Sequence, residues 1–237
     1  MANRRAKFIK QQKMIVGGIA VIVIGILIYL STMVVSETIT DEFVEGEHYA
    51  LIDEPRRIRG DKIEVMEFFS YGCIHCYNFD DEISDWAANH AATVDFKQTP
   101  AVANEVWRNY GKAYYTMDSL GILDEGHTLM FKQVHDARRN LQTAEEIANV
   151  LAIGGVTEAQ FISTFNSNEV AQNLNRADQL ARRYKVATVP SMVVQGKYHI
   201  RVTGSIGFSR MLDVAEYLIE KELAEKAAKS QPASTAG

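Results

Sequence analysis

Residues 67–79 read EFFSYGCIHCYNF and hold both cysteines of a 237-residue chain. The run before them, Ile63–Phe69 (IEVMEFF), is short, apolar and partly β-branched, which predicts a buried strand. It stops at Ser70-Tyr71-Gly72. From Cys73 onward Phe79, Ile83, Trp86 and Ala87 recur at helical spacing, and the pattern fades near His90. The cysteines therefore stand where a strand turns into a helix. A thiolate at a helix start is stabilised by unpaired N–H groups and by the macrodipole, so Cys73 is expected to ionise easily. Cys76 comes round on the first turn, close enough to form a disulfide with Cys73 and to resolve a mixed disulfide made on it. His75 stands between them as a donor or a charge beside the sulfur. Stabilising the reduced thiolate makes such a disulfide a stronger oxidant.

Two other readings of the pair compete with this one. Zinc needs four ligands, and there is no second CxxC; His48, His90, His127, His135 and His199 are scattered. A purely structural disulfide closing so short a loop removes little chain entropy. Two cysteines are also too few for a stapled secreted scaffold, and with 47% apolar residues the chain can build a core without one.

The net charge of −5 conceals an asymmetry. Residues 1–13 carry Arg4, Arg5, Lys7, Lys10 and Lys13 and no acid, leaving 20 bases against 30 acids in the rest of the chain. An acidic body argues against a nucleic-acid partner. Residues 14–35 (MIVGGIAVIVIGILIYLSTMVV) contain no charge, and about 20 such residues cross a bilayer as a helix. The stretch is longer than a signal-peptide core, lacks a small-x-small cleavage site, and has no polar face. It is expected to be a retained membrane anchor. The five bases before it stay in the cytoplasm under the positive-inside rule, which puts the remainder in the periplasm or at the cell exterior.

A linker over 36–47 is expected next, then a folded domain over 48–225 and a disordered tail over 226–237. Val94–Gln98 alternates like a second strand. Residues 103–185 are helical in period, punctuated by Gly111, Gly121, Gly126 and Gly154-Gly155. Thr143 with Glu146, and Thr157 with Gln160, read as helix starts. The last helix of this group spans about 169–184. Strands return at Ser191–Val194 and Tyr198–Thr203 around a Gln195-Gly196-Lys197 turn, and a closing helix runs from about Ser209 to Lys226.

CxxC after an apolar strand and opening a helix is the signature of the thioredoxin fold. EFFSYGCIHCYNF, the segment FVEGEHY before the first strand, and TVPSMVVQGKY (188–198) together resemble the DsbA family of periplasmic thiol oxidases. The likeness spans about residues 43–225. It implies an α/β, thioredoxin-like fold with an inserted helical domain, about 103–170, here preceded by one transmembrane helix. It implies a cis Pro190 packed against the disulfide, with the backbone of Val189 free to pair with a substrate strand. Glu67 matches the family's buried acid and Lys97 its partner; on the residues alone, Glu67 also reads as an outward-facing strand residue and Lys97 as a solvated one. Ile74 departs from the proline common at its position, adding an N–H near the sulfur and a looser turn. Phe68, Phe69, Tyr77 and Phe79 are expected in the core, with Tyr71 divided between core and surface.

The reading that follows is a membrane-tethered thiol–disulfide oxidase giving its Cys73–Cys76 disulfide to exported, folding proteins. No metal, nucleotide or organic cofactor is implied, and the resemblance implies a quinone-linked, DsbB-like membrane protein for reoxidation. Two alternatives stay open: a tethered reductase or isomerase on the same fold, and a holdase chaperone without redox turnover. Val189 before Pro190 favours the oxidase pattern over the isomerase one.

Overall fold

In the computed structural model, which describes Ile26 and residues 43–204 and 206–230, five strands form one sheet. They are β1 (Ala50–Leu51), β2 (Ile63–Phe69), β3 (Val94–Pro100), β4 (Ser191–Val194) and β5 (Tyr198–Arg201), in the order β1-β5-β4-β2-β3. β2 runs parallel to β3 and antiparallel to β4, and all seven of its residues are buried. A strand paired on both edges and covered on both faces has no solvent side, hence its nearly continuous apolar sequence. β4 and β5 form the expected hairpin, with Gln195 and Gly196 both at positive φ in the turn.

Helix α1 (Ile74–Asn89) makes the crossover from β2 to β3. Its Phe79, Ile83 and Trp86 pack with Ile63 and Val65 of β2 and with Val214 and Leu218 of the closing helix, α7 (Phe208–Ser230). On the opposite face Met66, Phe68 and Val193 meet Ala181 and Tyr184, at the end of α6 (Asn168–Arg183). The alternation along β2 thus feeds two cores.

The insert between β3 and α6 contains α2 (Glu105–Leu120), α3 (Leu123–His135), α4 (Ala144–Leu151) and α5 (Glu158–Phe165). Both expected capping boxes form: Thr143 with Glu146, and Thr157 with Gln160. Gly121 ends α2 in the left-handed conformation. Gly111 and Gly126 do not punctuate the helices as expected. Each lies inside one, where a Cβ would stand 2.6 Å from Leu174 Cδ1 or 2.3 Å from Met117 Sδ, so close helix packing explains them. Phe69, Tyr71, Cys73 and Cys76 join the insert's own core, which ties the cysteine loop to the insert.

Two boundaries differ from expectation. The linker gives way to packed chain at Phe43, five residues early, because that ring is buried edge-on against Tyr217 of α7. The neighbouring β1 is too short to leave a periodic signal. The tail expected from 226 is helical as far as Ser230, and residues 231–237 lie outside the described residues. All but Ile26 of the expected anchor, residues 14–35, also lie outside them. Among the described residues no helix is long and apolar enough to cross a membrane.

Candidate active site

Ser70-Tyr71-Gly72 turns the chain from β2 into α1. The Cys73 N–H donates to Ser70 O at 3.0 Å and the Gly72 N–H to Ser70 Oγ at 3.2 Å. Position 72 takes glycine because Trp107 of α2 lies on it: a Cβ there would stand 2.5 Å from the indole nitrogen. Cys73 is the N-cap of α1 in extended conformation, and its sulfur accepts the Cys76 N–H at 3.4 Å, the place of a capping oxygen.

The two sulfurs are driven apart in acidity; both are free thiols here. Cys73 is lowered from 9.0 to about 6, first by a hydrogen bond from the Cys76 thiol, then by the N–H groups of Cys76 and His75 and by the charge of His75. Burial opposes this. Cys76 is pushed far up, by burial first, then by its hydrogen bond to Cys73 and by the charges of Glu67 and Cys73. Cys73, the nucleophile of the pair, is at 8% exposure largely covered, although less than Cys76 at 1%. Ile74 is exposed, but its N–H is not among the groups holding the Cys73 thiolate, contrary to expectation; the first turn aims the N–H groups of residues 75 and 76 at an N-cap side chain. His75 is exposed and stacks on Phe208 at 5.1 Å.

The Val189–Pro190 peptide is cis, as the resemblance implies, and Pro190 is buried. Val189 O lies 3.5 Å from Cys73 Sγ, so the loop at the start of β4 and the cysteine loop meet across 116 residues of sequence. This leaves the backbone of residue 189 beside the sulfur.

Glu67 is the buried acid, 1% exposed, and burial first of all raises it to about 8. Its partner is not Lys97. Register sets Glu67 against Gln98 and Met66 against Lys97, and alternate strand residues face opposite sides. Gln98 Nε2 donates to Glu67 Oε2 at 3.0 Å. Lys97, its side chain 45% exposed, pairs at 2.9 Å with both Glu64 and Asp95 on the other face, where Arg56 also pairs with Glu64.

Tyr71 is 1% exposed and points inward, which settles its divided assignment. Its hydroxyl lies 2.7 Å from His127 Nδ1, and His127 Nε2 lies 2.9 Å from Asp80 Oδ1. His135 Nε2 lies 2.9 Å from Tyr71 O, and its ring stacks on Tyr77 at 5.0 Å. Sequence reasoning misses Asp80, His127 and His135 as site residues. The one trace of them is the spacing of the two histidines, about two helical turns on one side of α3. Among the described residues no group of three or more His, Cys, Asp or Glu stands together as a metal site.

Residues 108–218 match the family model for a DSBA-like thioredoxin domain, a match that begins beyond the CxxC segment and so is independent of it. The thiol:disulfide interchange protein DsbA of Pseudomonas aeruginosa is 37% identical over 185 residues, 78% of this chain and 88% of that protein. That of Azotobacter vinelandii is 37% identical over 161 residues, 68% of this chain and 75% of that one. The crystal structure of Pseudomonas aeruginosa DsbA aligns with a TM-score of 0.74 at 37% identity, covering 81% of this chain and 99% of that one. DsbA from Xylella fastidiosa aligns with a TM-score of 0.71 at 34% identity, covering 77% and 98%. With a reactive N-capping cysteine, a buried partner thiol and a cis-proline loop at the sulfur, the chain belongs to the DsbA family of thiol:disulfide interchange proteins and is a thiol:disulfide oxidase.

Proposed function

We propose that this oxidase works tethered to the inner membrane through residues 14–35, with its folded domain in the periplasm, and oxidises exported proteins as they fold. A client thiolate attacks Cys73 Sγ of the Cys73–Cys76 disulfide. The S–S bond breaks, its electron pair goes to Cys76 Sγ, and that sulfur takes a proton from Glu67. A second client thiolate then attacks the client sulfur of the mixed disulfide. The client disulfide forms, Cys73 departs as a thiolate, and the client has given two electrons to the cysteine pair and both its thiol protons to solvent. Reoxidation passes the two electrons to a quinone-linked, DsbB-like membrane protein.

The observation that carries the direction of reaction is the split between the sulfurs: Cys73 held down to about 6 and Cys76 pushed up. A stabilised Cys73 thiolate favours the reduced dithiol, and hence release of the disulfide to clients. The tether rests on the uncharged length of residues 14–35 and the five bases before it.

The test is equilibration of the full-length protein, in detergent, with graded glutathione buffers, the Cys73/Cys76 state being read by thiol alkylation. A pair that stays reduced until the buffer is strongly oxidising is expected. A pair that remains oxidised well into reducing buffer makes the protein a reductase. The tether is tested on intact spheroplasts: external protease must remove the domain and leave the N-terminus protected, and release of the whole chain with the periplasmic fraction overturns it.

A further inference from the structure

Asp80 and His127 are buried ionisable groups to which the exchange reaction assigns no role. They lie on a continuous path of side chains. It starts at the Tyr71 hydroxyl, 2.7 Å from His127 Nδ1, and continues from His127 Nε2 to Asp80 Oδ1 at 2.9 Å. Gln98 Nε2 then donates to Asp80 Oδ1 at 3.4 Å and to Glu67 Oε2 at 3.0 Å. One amide nitrogen carries two hydrogens, so it serves both carboxyls at once. With Nε2–H given to Asp80, the imidazole accepts the tyrosine O–H on Nδ1, a tautomer assigned from the network. Both ends of the path come near the cysteines: Tyr71 lies two residues before Cys73, and the Glu67 charge acts on Cys76.

We propose that Asp80 and His127 are positioning residues for thiol–disulfide exchange: they fix Gln98 and, through it, the Glu67 carboxyl as the proton donor to the departing Cys76 sulfur. The proposal rests on the reading of Glu67 given above and adds what controls it. Two carboxyls sharing one amide in a buried space cannot both ionise cheaply, so a charged Asp80 keeps Glu67 protonated. Burial, first of all, and the Asp80 and Cys73 charges act in this same direction on Glu67, while the hydrogen bond from Gln98 opposes them and fixes the carboxyl in place. His127 Nε2, 2.9 Å from Asp80 Oδ1, orients that carboxyl toward Gln98. The other groups facing the cluster are Cys73 and Cys76 at the start of α1, Tyr114 of α2 at 6.0 Å from the His127 ring, and the apolar rings of Phe69 and Phe131. When Glu67 gives its proton to Cys76 it becomes a carboxylate, and on reoxidation the proton returns.

The experiment is single-turnover reduction of the oxidised full-length protein, in detergent, by excess cysteine peptide over a range of pH. The rate is divided by the peptide's thiolate fraction, and unfolding midpoints are measured in parallel. The wild type is expected to lose rate as rising pH removes the Glu67 proton, raised to about 8 in the dithiol form and placed at or below that value in the oxidised protein, which lacks the Cys73 charge. Glu67→Gln is expected to lack that limb. Asp80→Asn is expected to move it down by about 1 pH unit or more, since it removes the negative charge that holds the Glu67 proton, and His127→Leu, which takes away the donor that orients Asp80, is expected to move it in the same direction. His127→Gln, which can still donate to Asp80, restores it. If Glu67→Gln abolishes the limb while Asp80→Asn leaves it in place, the pair is merely structural and the proposal falls. If the limb persists in Glu67→Gln, the reading of Glu67 fails and takes the proposal with it, while the glutathione equilibrium still stands as a separate test of the oxidase. Should His127→Leu not fold, Asp80→Asn and His127→Gln decide the matter.

Discussion

Removing the Cys73 thiolate is expected to destabilise the reduced protein in a pH-dependent way. The thiol titrates at about 6 in the folded protein against 9.0 when unperturbed. Three pH units correspond to about 4 kcal/mol. Because the folded value is the lower one, the stabilisation is complete above the unfolded value and is lost as pH falls through the folded one. It therefore amounts to roughly 4 kcal/mol above pH 9, about 2 kcal/mol near pH 7.5 and close to zero by about pH 5. Cys73→Ser keeps an N-capping side chain without a titrating thiol, so below about pH 8, where Cys76 stays a thiol in the folded and unfolded chain alike, packing differences add only a pH-independent offset. Urea unfolding of reduced wild type and of Cys73→Ser, both full length in the same detergent, gives the difference at each pH. Thiolate absorbance of the wild type gives the midpoint directly. A stability difference that stays flat from acid to alkaline pH, or a thiolate midpoint at the unperturbed 9.0, refutes the reasoning. It would also remove the physical basis for the disulfide's oxidising direction.

Ile74→Pro is expected to leave the Cys73 midpoint within about half a pH unit, since proline suits the first helical position and the donors to the sulfur come from residues 75 and 76. A thiolate titration moving by a full unit contradicts this. Gly72→Ala drives a methyl group toward Trp107 and is expected to cost about 1–3 kcal/mol, read as a lower thermal midpoint, with Trp107→Leu in the same chain recovering much of it. Lys97→Met removes a half-exposed partner of Glu64, which keeps Arg56. The loss is expected to stay under about 1 kcal/mol, with the glutathione equilibrium unchanged. A change in that equilibrium would show that Lys97 acts on Glu67 after all.

Much of the site is legible in the sequence alone. The strand Ile63–Phe69, the helix opening at Cys73, both capping boxes and the hairpin around Gly196 are local or periodic features. Each depends on residues within a few positions of one another, so neighbouring side chains suffice to specify it. The chemistry of Cys73 belongs here too. A thiol at a helix N-terminus with a second cysteine on the first turn has its donors within three residues.

Tertiary structure alone decided how distant elements meet. Whether Glu67 finds Lys97 or Gln98 depends on which residue of β3 stands beside it, and a shift of one residue exchanges the faces of a strand. Tyr71 has an even claim to core or surface until α3 closes over it and brings His127 from 56 residues away. Asp80 and His127, 47 residues apart, and Trp107 over Gly72 join elements that share no local pattern. The sequence by itself determined that a reactive cysteine pair opens a helix in a thioredoxin-like domain. Which groups surround that pair, and so set its protons, was left to the packing of the insert, because pairing between remote elements follows from the burial of whole faces rather than from spacing along the chain.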